Sequence, residues 1–572
     1  MIGVIPRGRE MAGVQEFFQL FKTPWELFQE SRSYDVVVAT AGKIPQVDAR
    51  LLVIYGSEIK NSDAQPKITP CSKLRDVTLD YRGIGVPIYG ETLTFEGTGA
   101  SVLRVAAGSR IAGLKISSAG LTVLRLGYDL FQEIEFLLSV GQPVEFAHIP
   151  TLEIHIIMLR DWILDEGIPL LEIPPVPAGR SFSVCLTHDI DFVGIRCHKF
   201  DHTMWGFLYR STVGALRDFV RRRISFGRLL RIWRAASSLP FVYLGWMKDF
   251  WVPFDWYLQI EKDLPATYFL VPFKKRAGER VSSRHRDRRA TSYDIADLPE
   301  WTTTLIKEGC EIGVHGIDAW HSAVKGREEL ERVAAVTGKS EVGVRMHWLL
   351  RDENTFCVLE ESGYDYDSTA GYNETVGYRC GTSQTFRPLG VKTLLELPLH
   401  IQDGAMFYSQ RLDLPETEAW HLCEVMIQNA KEIGGVLTIL WHDRSHGPER
   451  FWGEFYIMLV RKLRSLDVWF GTAGQVVKWF RQRREVAFER VDSADGTTQV
   501  RLRHNGMRIE PPLVVRIHRP GSVGNGHQTV SEGARRTADF SWTGETAIEA
   551  GQLLRPATAS PSKSVSPVPS ES

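Results

Sequence analysis

Apolar positions in the middle of the chain form short continuous runs separated by longer stretches with helical spacing. The continuous runs, which are typical of buried strands, lie at 181–191, 266–273, 310–316, 341–348, 394–401, 435–442 and 468–474. Amphipathic helices are predicted between most of them, at 298–309, 355–363 and 415–434. This alternation predicts parallel strands under helices. About seven strands over some three hundred residues favour a (β/α) barrel, with an open parallel sheet as the alternative.

The flanking segments have different patterns. Residues 1–178 combine an amphipathic helix at 15–29, interrupted at Pro24, with strand-like runs at 36–38, 51–55 and 102–105 and helices at 130–138 and 151–166. The proline-rich stretch 172–180 predicts a domain boundary. We therefore predict an α/β protein: an N-terminal α+β domain of unknown role (1–178), a barrel (179–482), a small β-rich appendage (483–550) and a disordered tail (551–572).

Composition adds limits rather than a function. The 572 residues are 43% apolar and 24% charged with a net charge of -1, which gives no overall attraction to nucleic acid or to an anionic membrane, so any such attraction has to be local. The seven cysteines include no C-x-x-C pair, which suits a reducing compartment. The first residues lack a sustained apolar run, and charged residues interrupt the most apolar stretch, 239–258. We expect a cytoplasmic protein.

Histidines and carboxylates recur where the predicted strands end. Side chains at the carboxyl ends of barrel strands meet at one rim, and these positions hold Asp189, Asp191, His315, Arg345, His347, His400, Asp403 and His442. Asp189 and Asp191 are one residue apart and share a face of the strand. Two carboxylates so close need a neighbouring cation to stay ionised. The bland alternative for this D-x-D pair is a strand-terminal turn with both acids in solvent.

Five segments occur in the order of the motifs of a known family. They are Thr187-His188-Asp189-Ile190-Asp191, Ala266-Thr267-Tyr268-Phe269, Glu311-Ile312-Gly313-Val314-His315, Val344-Arg345-Met346-His347-Trp348 and Leu437-Thr438-Ile439-Leu440-Trp441-His442. Over about 181–482 the chain resembles the polysaccharide deacetylase family, the carbohydrate esterases related to chitooligosaccharide and peptidoglycan deacetylases. The resemblance implies a distorted (β/α) barrel of the deacetylase type. It also implies an acetylated amino-sugar glycan as substrate and a divalent metal, for which we predict Zn²⁺, as cofactor.

The resemblance also implies a role for individual residues. Asp189 would be the general base and His442 the general acid, with Arg345 orienting Asp189. Asp191 and His315 would be metal ligands. This assignment agrees with elementary chemistry, because a cation polarises an amide carbonyl while a carboxylate and an imidazole move protons on either side of it.

The chain departs from the family at the remaining metal ligand. The family has H-x-x-x-H in its histidine motif, whereas the residue four positions after His315 is Ala319. His347 ends the next strand and would point into the same rim. His321 is nearer in sequence, but on a helix it would face away from His315. We predict His347 as the third ligand and keep His321 as the alternative.

Other residues near these motifs carry weaker predictions. We predict Trp348, Asp367, Arg379 and Asp403 as substrate-binding, with turn chemistry as the alternative for the loops that contain Asp367 and Arg379. Asp403 has two further interpretations, as a carboxylate that orients His442 or as a plain loop acid. Strand alternation predicts that Asp443 points to the opposite face and that His188 packs or bonds away from the two acids.

Two basic segments have no place in the motifs. Residues 217–234 contain seven arginines among apolar residues and predict a basic amphipathic helix. It would make weak contact with a membrane surface or an anionic glycan, or it would simply flank the barrel as a solvated helix. Residues 274–290 have almost nothing to bury and predict a mobile loop.

Three functions compete. The leading hypothesis is removal of N-acetyl groups from an amino-sugar polysaccharide or oligosaccharide. A hydrolase of a small non-sugar amide is the second, and a carbohydrate-binding scaffold without catalysis is the third. An open groove with Trp and Tyr would favour a glycan, whereas a closed pocket would favour a small amide.

Overall fold

The structure, a computed structural model, describes residues 1–64, 68–118, 120–492, 498–520 and 536–549. The tail at 551–572, predicted to be disordered, lies outside the described residues. The chain is a mixed α/β protein with three groups of strands, taken in order below.

The N-terminal region is a nine-stranded sheet with helices. Its strands are β1 (Ile2–Ile5), β2 (Trp25–Leu27), β3 (Tyr34–Ala39), β4 (Ala49–Tyr55), β5 (Ile68–Tyr81), β6 (Ile84–Gly97), β7 (Ala100–Val105), β8 (Ile111–Ser118) and β9 (Leu121–Leu126). Its helices are α1 (Met11–Phe21), α2 (Leu130–Ser139) and α3 (Thr151–Asp165), and β10 (Leu170–Glu172) follows. The order is β2-β1-β3-β4-β9-β8-β6-β5-β7, with the first five strands parallel and the others antiparallel.

The predicted helix at 15–29 is wrong in its second half. Helix α1 ends at Phe21, and Lys22 follows in the left-handed region at φ 49°. After Pro24, which has no N–H to continue a helix, β2 lies parallel to β1. The apolar spacing of Trp25 and Leu27 therefore belongs to an edge strand.

The second sheet occupies the predicted barrel region. Its strands are β11 (Phe182–Ile190), β12 (Ala266–Leu270), β13 (Glu311–Gly316), β14 (Val344–Met346), β15 (Tyr366–Asp367), β16 (Leu395–Glu396), β17 (Ile401–Gln402), β18 (Val436–Leu440) and β19 (Val468–Phe470). Its helices are α4 (His202–Tyr209), α5 (Ala215–Val220), α6 (Phe226–Tyr243), α7 (Phe254–Ile260), α8 (Ser283–Arg289), α9 (Pro299–Lys307), α10 (Ala323–Thr337), α11 (Thr355–Ser362), α12 (Asp403–Phe407), α13 (Glu416–Ile433), α14 (Trp452–Arg464) and α15 (Ala473–Glu485).

These strands are parallel in the order β16-β15-β14-β13-β12-β11-β18-β17, with β19 also paired to β11. Every residue of β11, which pairs with β12, β18 and β19, is buried, as expected for a parallel strand covered on both faces. The carboxyl ends of all these strands lie at one edge of the sheet, so the side chains that follow them are neighbours.

The run at 394–401, predicted as one strand, forms two short strands at opposite edges of this sheet. Strand β16 pairs with β15, whereas β17 pairs with β18. Between them, Leu397 donates its N–H to Asp367 and His400 donates its N–H to Thr438, while Pro398 has no N–H to donate. The chain itself thus joins the two edges, as in a barrel whose gap is bridged by one segment.

The C-terminal region adds two three-stranded sheets. The strands are β20 (Ala487–Asp492), β21 (Thr498–Arg503), β22 (Leu513–Arg519), β23 (Arg536–Trp542) and β24 (Ile548–Glu549). One sheet has the order β10-β22-β23 and the other β20-β21-β24. Strand β10, at the start of the proline-rich stretch, therefore belongs to a sheet with C-terminal strands. Among the described helices, none has the length and apolar character needed to cross a membrane.

Both basic segments differ from their predictions. The segment 217–234 is not one helix, because α5 ends at Val220 and α6 begins at Phe226, with the Ser225 side chain accepting a hydrogen bond from the N–H of Arg228 at the new start. The segment 274–290 includes helix α8, and its last arginine, Arg289, is buried.

Candidate active site

Three predicted ligands meet at the carboxyl ends of β11, β13 and β14. The Nε2 atoms of His315 and His347 lie 3.3 Å and 3.2 Å from Oδ1 of Asp191. Among the described residues, this is the group of histidine, cysteine and acidic side chains whose ligand atoms converge, all within 4.8 Å of one another. Side-chain exposure is 2% for His315, 5% for His347 and 20% for Asp191, so the cluster opens to solvent on the Asp191 side.

The two imidazoles present their Nε2 atoms to Asp191. Nδ1 of His315 lies 3.0 Å from the carbonyl oxygen of Arg345, a contact that fixes the ring and directs Nε2 into the cluster. Burial lowers the pKa of His347 well below its usual range, so this ring is neutral at pH 7. A neutral imidazole with its lone pair directed inward is the form that binds metals.

The donor set fits a divalent cation. Oδ1 of Asp191 is buried and has no hydrogen-bond partner among the described residues, although it faces two imidazole nitrogens. Such an orphaned acceptor is unfavourable unless a positive charge satisfies it. Two imidazole nitrogens and one carboxylate oxygen are ligands that Zn²⁺ and similar cations take in catalytic sites, with a position left open.

His321, the alternative ligand, lies elsewhere. Its Nε2 atom is 3.1 Å from Oδ1 of Asp318, three residues earlier. Ala319, at the position where the related family has its second histidine, is fully buried in the core. The structure therefore brings His347, rather than His321, to Asp191 and His315.

Asp189 lies beside this cluster and is held by Arg345. The fully buried guanidinium of Arg345 donates from Nη1 to Oδ1 of Asp189 at 3.0 Å and to Oγ1 of Thr187 at 2.7 Å. It also donates to the Ser368 carbonyl and hydroxyl oxygens at 3.0 Å and 2.8 Å. The other oxygen of Asp189 lies 3.9 Å from Nε2 of His315. Arg345 therefore fixes one oxygen of Asp189 while the second faces the cluster.

His442 follows β18 and is held by Asp403. Nδ1 of His442 lies 2.5 Å from Oδ1 of Asp403, whose Oδ2 accepts the backbone N–H of His442 at 2.8 Å and a hydrogen bond from Ser445. Burial alone would lower the pKa of His442, but the charge and hydrogen bond of Asp403 raise this pKa well above its usual range. Asp403 thus has the orienting position that was one of its three interpretations, and His442 is held as an imidazolium.

Trp348 lies beside the cluster. Its ring centroid is 5.8 Å from that of His347, and 36% of the residue is exposed. Its backbone is in the left-handed region at φ 68°, which is strained for a bulky side chain. Strain of this kind persists where the surroundings impose it, often at functional sites.

Asp367 and Arg379, the other predicted substrate contacts, are placed differently. Asp367 is fully buried, and its Oδ1 accepts a hydrogen bond from Thr369 at 2.5 Å. Arg379 contacts the N-terminal region, donating to the carbonyl of Val140 at 3.2 Å and stacking on Tyr372. Neither side chain is brought to the cluster, because short strands and an interface occupy the segments that were interpreted as loops.

His188 and His400, which also stand at strand ends, are engaged elsewhere. His188 lies between Oε1 of Glu261 at 2.8 Å and the carbonyl of Trp441 at 3.0 Å, as predicted for a side chain that bonds away from the two acids. The ring of His400 is buried and contacts the backbone of Thr382 and Thr438.

Two residues near the cluster were missed. Asp443 was expected on the opposite face, but Oδ1 of Asp443 accepts the N–H of Asp191 at 3.1 Å, because β18 ends at Leu440 and a short 3₁₀ turn breaks the alternation. Buried Arg289 donates to the carbonyl of Ile317 at 2.7 Å and reaches that of His347 at 3.4 Å. In sequence it was one of several arginines in a basic stretch, with nothing to single it out.

Comparisons with known proteins give a structural likeness. No protein-family model matches the chain, and no curated protein matches it. Solved structures that it resembles include a protein named as a polysaccharide deacetylase from Mycobacterium smegmatis (19% identity, TM-score 0.32, covering 54% of this chain and 95% of that one). Another is a protein named as a probable polysaccharide deacetylase from Pseudomonas aeruginosa (16% identity, TM-score 0.33, covering 54% of this chain and 94% of that one). An allantoinase is also similar (14% identity, TM-score 0.32, covering 54% of this chain and 92% of that one).

The neighbours include polysaccharide deacetylases, the family that the sequence motifs resemble. At these identities and TM-scores the likeness does not decide an activity. The chemistry therefore has to be inferred from the side chains of the site.

Proposed function

We propose that the protein is a metal-dependent hydrolase that removes N-acetyl groups from an amino-sugar glycan. The observation that carries this proposal is the buried, orphaned Oδ1 of Asp191 opposite the Nε2 atoms of His315 and His347. A carboxylate and an imidazole, each held by its own partner, flank that cluster. A metal site between a base and an acid is the apparatus of amide hydrolysis.

Asp191, His315 and His347 are the residues that would hold a divalent cation, for which we propose Zn²⁺. When bound, such an ion supplies Lewis-acid polarisation of the acetamide carbonyl and favours deprotonation of water. The protein residues then move the protons. Asp189 accepts a proton from the attacking water, using the oxygen that Arg345 does not bind.

His442 completes the reaction on the other side. As the water oxygen bonds to the acyl carbon and the carbon–nitrogen bond breaks, the imidazolium of His442 gives its proton to the departing amine nitrogen. Acetate and a free amino sugar are the products. Asp403 is a positioning residue, because its carboxylate contacts His442 and keeps that ring charged until the amine leaves.

A sugar substrate is favoured by Trp348. An exposed aromatic ring beside the metal ligands is a platform on which the apolar face of a sugar ring can stack. A small amide enclosed in a pocket would not contact a tryptophan that is 36% exposed to solvent. The motif resemblance gives the same substrate class, an acetylated amino-sugar chain.

The test is acetate release from an N-acetylglucosamine oligomer by the full-length protein loaded with Zn²⁺. We expect turnover that a chelator abolishes and Zn²⁺ restores, and loss of turnover with retained zinc in Asp189→Asn. Release from a small acylated amide but from no oligomer would favour the second candidate. Stoichiometric zinc without turnover on either substrate would contradict the proposed hydrolysis and favour a binding scaffold.

A further inference from the structure

The segment between β11 and α7 exposes an unusual amount of apolar surface. Among the described residues, 13 of the 25 exposed large apolar side chains fall within positions 200–247. Scattered exposed apolar residues are normal on a soluble protein, but a concentration of them marks an interaction surface. We call residues 200–247 the helical insertion.

The first part of the insertion carries a continuous exposed apolar stripe. The stripe runs along α4, a π-helical turn at 210–214 and α5. The exposed members follow helical spacing: Trp205, Tyr209, Val213, Leu216 and Val220. The opposite face, including Met204 and Phe207, is buried. The stripe is therefore additional to the face that packs against the protein.

Helix α6 carries a second stripe of the same kind. Its exposed positions are Phe226, Leu230, Trp233 and Phe241, and Leu244 continues the stripe just past the end of the helix. The buried face has its own apolar residues, Leu229, Ile232, Leu239 and Val242. Helices α5 and α6 contact each other, so the two stripes belong to one packed unit, and Trp246 and Met247 follow it with 74% and 45% exposure.

The charge of the insertion is strongly positive. It contains eight arginines and two aspartates, and no lysine or glutamate. Several arginines have acidic partners on the barrel, such as Arg223 with Asp413 and Arg231 with Glu454. The exposed Arg221, Arg222 and Arg234 have no ionic partner among the described residues. An apolar surface flanked by unpaired arginines complements a surface that is both apolar and negatively charged.

We propose that the helical insertion docks on the surface of an anionic lipid bilayer. Tryptophan, phenylalanine and leucine would enter the interface, and the free arginines would contact lipid phosphates. A second copy of the chain fits less well, because a symmetric interface would oppose the insertion's arginines to one another. The insertion begins nine residues after Asp191 along the chain, so docking would bring the candidate active site near the membrane.

The experiment is flotation of the full-length protein with vesicles of phosphatidylcholine alone or mixed with phosphatidylglycerol. We expect binding to the mixed vesicles that weakens at high salt. The quadruple variant Trp205→Ser, Leu216→Ser, Leu230→Ser and Trp233→Ser should lose binding. As a control, Ile59→Ser with Val324→Ser removes two apolar side chains outside the insertion that are more exposed, at 70% and 67%, and should bind like wild type.

The charged component is tested separately. Arg221→Gln, Arg222→Gln and Arg234→Gln together should weaken binding to the mixed vesicles by about 100-fold, from roughly fivefold per arginine, and leave the folded helical signal unchanged. Failure of wild type to float with mixed vesicles would overturn the proposal. So would a concentration-dependent dimer that the quadruple variant abolishes, since the surface would then be a contact between copies. Both measurements are independent of any hydrolytic activity.

Discussion

Two regions of this molecule place charged groups at the carboxyl ends of parallel strands, and they treat those charges in opposite ways. In the N-terminal sheet, Arg125 binds Asp63 through two hydrogen bonds of 2.7 Å and 3.0 Å, both side chains being buried. Nη2 of Arg7 lies 2.5 Å from Oδ1 of Asp129. Each carboxylate faces a guanidinium, which stays charged at any ordinary pH. Asp63 and Asp129 are therefore each paired with a permanent positive charge.

The central sheet is different because Asp191 has no guanidinium partner among the described residues. Asp189 has Arg345, but Asp191 faces His315 and His347, and the latter ring is neutral because burial lowers its pKa. Charged residues at strand ends therefore do not by themselves mark a site. The informative feature is an acceptor that the protein leaves without a cation, next to nitrogen lone pairs that can share one.

The largest effect on activity is expected from disrupting the cluster of Asp191, His315 and His347. Asp191→Asn removes the ligand charge, and activity on the acetylated oligomer should fall by at least about 10³-fold, since the metal's Lewis-acid contribution is several kcal/mol. Bound zinc, measured by mass spectrometry of the dialysed protein, should fall with it. Unchanged zinc content and turnover in Asp191→Asn would remove this residue from the site.

Breaking the ion pair between Arg125 and Asp63 should lower the stability of the fold rather than the activity. Arg125→Met leaves buried Asp63 without its partner, and the free energy of unfolding should drop by about 3–5 kcal/mol. Denaturant titration measures this loss. Zinc content and turnover of the folded protein should stay at wild-type values, and a loss of zinc here would mean that the two clusters are coupled.

His442→Gln tests the proton donor within the site. The change removes the acid but none of the three proposed ligands, so we expect turnover to fall by about 10²-fold with zinc still bound in a 1:1 ratio. A substrate with a better leaving group, such as an activated aryl acetamide, should recover part of the rate. Equal losses on both substrates would argue against a role in protonating the leaving nitrogen.

The smallest effect is a change in pH dependence. His442 must be protonated to act, and Asp403 raises its pKa. The rate should therefore fall as pH rises through this raised pKa. Asp403→Asn removes the raising charge, so the pKa of His442 drops and the alkaline limb of the rate profile should move to lower pH. At pH 6 we expect about a tenfold loss; an unmoved alkaline limb would assign that limb to another group.

Much of this arrangement follows from the sequence, for physical reasons that also show where prediction stops. Strands β11, β13 and β18 were predicted because strands buried on both faces are rich in apolar residues along their whole length. The antiparallel pair β5 and β6 was missed, since its partly exposed residues and bulges blur any period. The two edge strands in 394–401 are only two residues long each, too short for a pattern.

The site residues show the same division. His347 was preferred over His321 because it follows a strand, and strand ends converge whatever the detailed packing. Asp443 and Arg289 required knowledge of a turn and of a helix whose arginine is buried, and neither has a local signature. The pairing of Asp403 with His442 joins two strand ends that only the sheet order brings together.

The central claim is that Asp191, His315 and His347 form a site for one cation. Calorimetric titration of Zn²⁺ into metal-stripped protein tests it most directly, using wild type, His347→Ala and His321→Ala. We expect one tightly bound equivalent of Zn²⁺ for wild type and His321→Ala, and binding weakened by at least about 10²-fold in His347→Ala. No zinc binding by folded wild type, or loss of binding in His321→Ala alone, would contradict it.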